Sequence, residues 1–284
     1  MRRSTTTPAG DAASAAGESL SQLASRVLVA VVGAPIVLGI VFLGGWWLFA
    51  LAVVAALFAL HEYAVLLRPL RPVVLAAYTG AVLALVGAKL SGADWMIGGF
   101  LATIVLAFVL HWLGETRQSA TVAIATTVLG AAWVGLGLGY LLLIRSIPEN
   151  GRLAAFTVLL AVFAGDIAAY VAGRLIGRHR LAPKLSPGKT WEGFVFGTAA
   201  TVFVAFVALY KQHYLSVGNS IVLGVVIAVA APLGDLFESG LKRDMEVKDT
   251  GRVLGAHGGV LDRIDSLLFA AVASYYILLA LNAV

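Results

Sequence analysis

The chain has 284 residues, 60% of them hydrophobic and 12% charged, with a net charge of +5 and a mean hydropathy of +0.94. A soluble domain carries about 25% charged residues, so this composition excludes an ordinary water-soluble fold and makes lipid the solvent. The absence of cysteine excludes disulfide frameworks, thiolate-bound zinc and thiol nucleophiles, and so modest a positive charge gives no ground for a nucleic-acid partner.

Residues 1–24 are rich in Ser, Thr, Ala and Gly and read as a disordered cytosolic tail. The first apolar run starts only near Val27 and others follow it, which argues against a cleaved signal peptide. A helix needs roughly 20 apolar residues to cross the hydrocarbon core. Nine runs qualify, at about 27–44, 46–66, 72–90, 95–113, 120–143, 154–173, 190–210, 219–238 and 264–283. Only Gly44 and Gly45 separate the first two. The expected fold is therefore all-α: a polytopic transmembrane helix bundle of about nine spans.

With nine spans, all but four of the 20 lysines and arginines fall on the N-terminal side. The four exceptions are Lys89, Arg145, Arg152 and Lys211. The positive-inside rule then puts the N-terminus in the cytosol, in a cell (inner) membrane. Residues 25–150 form an N-terminal helical region and 151–284 a second one, with polar cytosolic loops at 173–193 and 239–263.

The later loop and its flanks hold a dense set of charges. Asp235, Glu238, Ser239 and Lys242 recur at spacings of three and four and share a face if the helix continues. Asp262 and Asp265 are one turn apart at the start of the last span. Carboxylates at two helix ends are the usual ligands of Mg2+, which takes its remaining ligands from water and phosphates. Lys242, Arg243, Lys248 and Arg252 between them supply the cations that a polyphosphate needs. Gly258 and Gly259 allow a tight turn or a close backbone approach. A salt-bridged interfacial loop is the structural alternative, but acids at the bilayer are costly and usually functional.

The earlier loop begins with Asp166 inside an apolar run, with Tyr170 and Gly173 on the same face. A helix-packing hydrogen bond would be the plainer role for that aspartate. Gly188, Lys189 and Thr190 resemble the end of a P-loop, but position 183 is Pro183 where that loop needs glycine, and no strand precedes it. Ser186, Lys189 and Thr190 remain candidate phosphate contacts ahead of a helix N-terminus.

Taken together, these segments resemble a known family. The run from Ser239 to Asp265, S-x-L-K-R-x4-K-D-x-G-x2-L-G-x-H-G-G-V-x-D-R-I-D, is similar throughout to the pattern of phosphatidate cytidylyltransferases (CDP-diacylglycerol synthases). D-x3-Y-x2-G-R-x2-G from Asp166 and S-P-G-K-T-W-E-G from Ser186 resemble that family's second block. One departure is Gly255-Ala256-His257, where many relatives have Pro-Gly-His. The N-terminal half carries no diagnostic motif.

The resemblance implies that CTP and phosphatidate react to give CDP-diacylglycerol and pyrophosphate, with Mg2+ required and a second, monovalent cation left open. It implies metal ligation by Asp235 and Asp262, with Asp265 beside them, and a homodimer in the membrane. Lys242, Arg243, Lys248 and Arg263 would neutralise phosphate charge. His257 would donate to phosphate or structure its loop, and Asp249 would orient a base or a metal-bound water. Two other classes compete: an ion-coupled secondary transporter, and a kinase that uses CTP on another lipid such as a polyprenol. No inverted repeat is visible, and the charges crowd one face instead of the midplane, against the transporter.

Overall fold

The computed structural model describes residues 33–114, 119–247 and 259–284. Each of the nine apolar runs contains a helix. In chain order these are α1 (Gly33–Leu43), α2 (Gly45–Leu66), α3 (Val74–Leu90), α4 (Ala93–Leu113), a continuous helix made of α5 (Ala120–Gly130), a π-helical segment (Ala131–Leu136) and α6 (Gly137–Arg145), then α7 (Gly151–Ile176), α8 (Trp191–Leu209), α9 (Val217–Asp244) and α10 (Leu261–Ala280). Among the described residues, seven of them are long and apolar enough to span a bilayer, while α1 and α3 are shorter. This is a multi-pass membrane protein.

The outer surface carries large apolar side chains, including Trp46, Trp47, Phe108, Trp112 and Phe203. Such a surface is stable only against lipid. The helix from Ala120 to Arg145 is the central one, with 78% of its apolar window buried, against 17% for α4 and 28% for α8. Around it α7 packs on α8, α8 on α9, α9 on α10 and α10 on α6, while α3 packs on α4 and α2.

Local chemistry sets the boundaries. Gly44 adopts a left-handed φ of 65° and breaks α1 from α2. The Arg145 guanidinium donates to the Val41 and Phe42 carbonyls at 2.9 Å each, closing the end of α1. Thr127 accepts the Val73 N–H at 2.8 Å ahead of α3, and Ser216 caps α9 through the Asn219 N–H at 3.1 Å.

Two expectations need adjustment. The polar loop expected at 173–193 starts later and is not irregular, because α7 runs to Ile176 and an antiparallel hairpin follows, β1 (Arg180–Ala182) and β2 (Ser186–Thr190). Among the described residues this hairpin is the one sheet in a helical bundle, and a strand does lead into Thr190. The polar loop at 239–263 is also shorter than expected, since α9 continues to Asp244 and α10 starts at Leu261.

Candidate active site

A helix that continues through Asp244 keeps Asp235, Glu238 and Lys242 on one face of α9, and that face lines a cavity of about 680 Å3. Asp262 and Asp265 enter it from the first turn of α10. Asp166, Tyr170 and Gly173 enter from α7, as their spacing predicts. The hairpin closes it with Ser186, Gly188, Lys189 and Thr190. Five carboxylates and two lysines thus meet in one enclosure, drawn from three helices and a hairpin.

The charges are interleaved. Lys242 Nζ lies 3.1 Å from Glu238 Oε1 and 2.6 Å from Asp262 Oδ1, joining α9 to α10. Lys189 Nζ lies 2.8 Å from Asp235 Oδ2 and ties the hairpin to α9. Ser239 Oγ donates to Asp235 Oδ1 at 3.4 Å. Lys189 Nζ, Glu238 Oε1 and Asp262 Oδ1 are fully enclosed, yet none of them meets the directional demands of a hydrogen bond within the protein. Each is instead met by an opposite charge, Lys189 by Asp235 and both Glu238 and Asp262 by Lys242.

Close approach of α9 to α10 depends on Gly234. A Cβ there would collide with the Asp265 carbonyl and sit 3.2 Å from the Ser266 Cα, both of them backbone atoms. We expect Gly234→Ala to force the helices apart and lower turnover by more than about tenfold, since small misplacements of reacting groups are heavily penalised. A steady-state assay on folded protein checks this, and an unchanged rate would show that the helices tolerate the shift.

Other expected site residues lie beside the cavity. Arg243 does not line it; its Nε donates to the Leu185 carbonyl at 3.2 Å and holds the hairpin tip on α9. Arg263 and Ser239 are also outside the lining. Gly259 donates its N–H to Asp262 Oδ2 at 2.7 Å and so orients that carboxylate. Thr190 lines the cavity, but its hydroxyl accepts the Gly193 N–H at 3.1 Å as the cap of α8. Lys248, Asp249, Arg252, His257 and Gly258 lie outside the described residues.

Sequence reasoning missed several participants. Arg174 and Arg180 line the cavity, and Arg174 donates to the Tyr170 hydroxyl at 2.8 Å. Neither arginine forms an ion pair among the described residues, unlike both lysines. Glu192 takes His179 Nδ1 at 2.7 Å and anchors the base of the hairpin to α8. Glu62, on α2, is 2% exposed and accepts the N–H groups of Val260 and Leu261 at 3.0 and 2.8 Å. A carboxylate inside the second apolar run was the available signal for Glu62.

Among the described residues, no three acidic or histidine side chains converge as a preformed metal cage. Mg2+ does not require one, because it commonly binds through one or two carboxylates with water and substrate phosphates completing its shell. The cavity carries five carboxylates against four cationic side chains, Lys189, Lys242, Arg174 and Arg180, and the carboxylates that α9 and α10 place in it suit such a cation.

Comparison with known proteins agrees with this chemistry. Residues 24–281 match the cytidylyltransferase family. The phosphatidate cytidylyltransferase of Staphylococcus haemolyticus is 36% identical over 253 residues, covering 86% of this chain and 94% of that protein. The phosphatidate cytidylyltransferase of Mycobacterium bovis is 33% identical over 273 residues, covering 87% and 85%. With the match running through both halves of the chain and across every element of the cavity, this protein belongs to the cytidylyltransferase family.

Proposed function

We propose that the protein transfers the cytidylyl group of CTP to phosphatidate, forming CDP-diacylglycerol and releasing pyrophosphate. One observation carries the reading: the acid- and lysine-lined cavity is bordered by Arg180 of the hairpin and by Arg174 on a helix whose neighbouring side chains are apolar and exposed. Ile167, Val171 and Leu175 of α7 are all exposed apolar residues, and Tyr170 is 64% exposed while also lining the cavity. A polar enclosure that borders an apolar surface suits a substrate with a charged head and lipid tails.

A phosphate oxygen of phosphatidate attacks the α-phosphorus of CTP, the new P–O bond forms, and the bond to the β-phosphate oxygen breaks to release pyrophosphate. The second pKa of a phosphomonoester is near ~6, so the nucleophile is already ionised at neutral pH and needs no general base. The chain's task is to bring two polyanions together and stabilise the charge that builds on the leaving group. Lys189 and Lys242 supply fixed positive charge inside the cavity. Arg174 and Arg180 receive the phosphatidate phosphate at its rim. Asp235 and Asp262, with Asp265 beside them, would hold Mg2+, which supplies charge neutralisation of phosphate oxygens when bound. Lys248, Arg243 and Arg263 add positive potential around the opening, and a monovalent cation is a second candidate for the acidic set.

The bias of lysine and arginine supports nine spans, a cytosolic N-terminus and a cavity open to the cytosol, where CTP is found. The family resemblance supports a homodimer. Residues 151–284 form the catalytic region.

The deciding experiment is an assay of purified protein in micelles with labelled CTP, phosphatidate and Mg2+, with EDTA as control. Equal yields of CDP-diacylglycerol and pyrophosphate, lost with EDTA, support the reading. Release of CDP with a phosphorylated lipid would replace it with a kinase. In the same assay Arg180→Gln is expected to raise the KM for phosphatidate by about 10–100-fold, the worth of a charge-assisted hydrogen bond, with little effect on the KM for CTP. Equal changes in both constants would remove Arg180 from the lipid subsite.

A further inference from the structure

Helix α10 delivers Asp262 and Asp265 to the cavity, yet its own sequence does not fix its start. The residue at its N-cap is Val260, which has no side-chain acceptor and makes no side-chain cap. The first N–H groups of a helix need acceptors. Asp262 takes the Gly259 N–H. The next two are taken by a residue almost 200 positions earlier: Glu62 Oε1 accepts the Val260 N–H at 3.0 Å and Glu62 Oε2 accepts the Leu261 N–H at 2.8 Å. Both oxygens of one carboxylate therefore grip the backbone immediately before Asp262. A negative group at this end also suits the helix dipole.

We propose that Glu62 is a positioning residue for the transfer reaction, aiming Asp262 by capping α10 from the N-terminal half. The grip is effective because α2 is itself anchored to α9. Tyr63, the next residue, donates to the Thr126 carbonyl at 2.7 Å and meets Trp133 edge-on, with ring centres 6.4 Å apart. Trp133 in turn packs edge-on against Phe237 of α9 at 4.8 Å. Glu62 thereby sets α10 relative to the helix that carries Asp235, Glu238 and Lys242. Glu62 does not line the cavity and touches no reacting group; it acts through the backbone. This gives the first five helices a defined part in the chemistry of the last four.

The test uses full-length Glu62→Gln, in which one oxygen acceptor is replaced by an amide donor facing an N–H. We expect kcat to fall about 10–100-fold, the usual loss when a group that orients a functional residue is changed, with both KM values nearly constant. Hydrogen exchange should quicken in a peptide covering residues 259–266 and stay unchanged in α7 and α8. Thr127→Val is the comparison: the Thr127 hydroxyl accepts the Val73 N–H and donates to the Ala123 carbonyl, both in the N-terminal half, so kcat should remain at the wild-type value even if thermal stability drops. A wild-type kcat in folded Glu62→Gln would overturn the proposal. So would faster exchange spread evenly over the chain, with a rate loss matched by Thr127→Val. The kcat readout rests on the proposed transfer, whereas the exchange readout requires no substrate, so failure of one is distinguishable from failure of the other.

Discussion

Replacing Asp235 or Asp262 with asparagine should reduce kcat by about 10²–10³-fold or more, the penalty typical of losing one preorganised electrostatic contact in an active site. Both substitutions keep the shape of the side chain. In Asp235→Asn the amide oxygen can still accept from Ser239, and in Asp262→Asn it can still accept from Gly259, so the local fold survives. What is lost is charge beside Lys189 in the first case and beside Lys242 in the second. Asp244→Asn is the control, because Asp244 ends the same helix but is exposed and outside the cavity. Turnover measured at saturating substrates, on proteins with matched elution profiles and thermal transitions, separates the outcomes. A wild-type rate in either cavity variant would remove that aspartate from the reaction.

Lys242→Met should be damaging in a different way. Lys242 is the common partner of Glu238, whose side chain is almost wholly buried, and of the largely buried Asp262. Removing one member of a buried ion pair leaves its partners charged and unpaired, at a penalty of about 3–5 kcal/mol. The variant is therefore expected to lose both stability and turnover. Lys242→Met combined with Glu238→Gln removes one of the stranded charges. It should recover part of the thermal stability and none of the activity, since the cation near the phosphates is still missing. Denaturation in micelles and the product assay read the two effects separately. Recovery of activity by the double variant would show that Lys242 has a structural role alone.

The part of the site that lies on one helix was legible in the sequence, because a period of 3.6 residues places Asp235, Glu238 and Lys242 on one face whatever surrounds them. The same holds for Asp262 with Asp265, and for Asp166 with Tyr170. Contacts between elements were not legible. Nothing in the spacing pairs Lys189 with Asp235, or Glu62 with Val260, since those meetings depend on how helices cross and not on any local period. The hairpin was hidden for a related reason. Its strands are short, include Pro187 and Gly188, and hold a single β-branched residue, Thr190, so the pairing of Arg180 with Thr190 rests on cross-strand bonds and on the Glu192–His179 clasp at its base. The nine apolar runs located the helices well because bilayer burial imposes its own length scale, but that scale did not show where α7 and α9 continue past the apolar stretch.

The grip of Glu62 on Val260 has a consequence for biosynthesis. The two residues are 198 positions apart, and at synthesis rates of roughly 5–20 residues per second the acceptor waits about 10–40 s for its donors. During that interval the nascent second helix carries a carboxylate whose eventual partner has not yet been translated. Glu62 lies one turn from the end of α2 at Leu66, close enough to the helix terminus for water to hydrate it until α10 arrives. A carboxylate moved to the middle of that helix would spend the same wait in hydrocarbon, so the position of Glu62 along α2 suits the order in which the ribosome delivers the two halves.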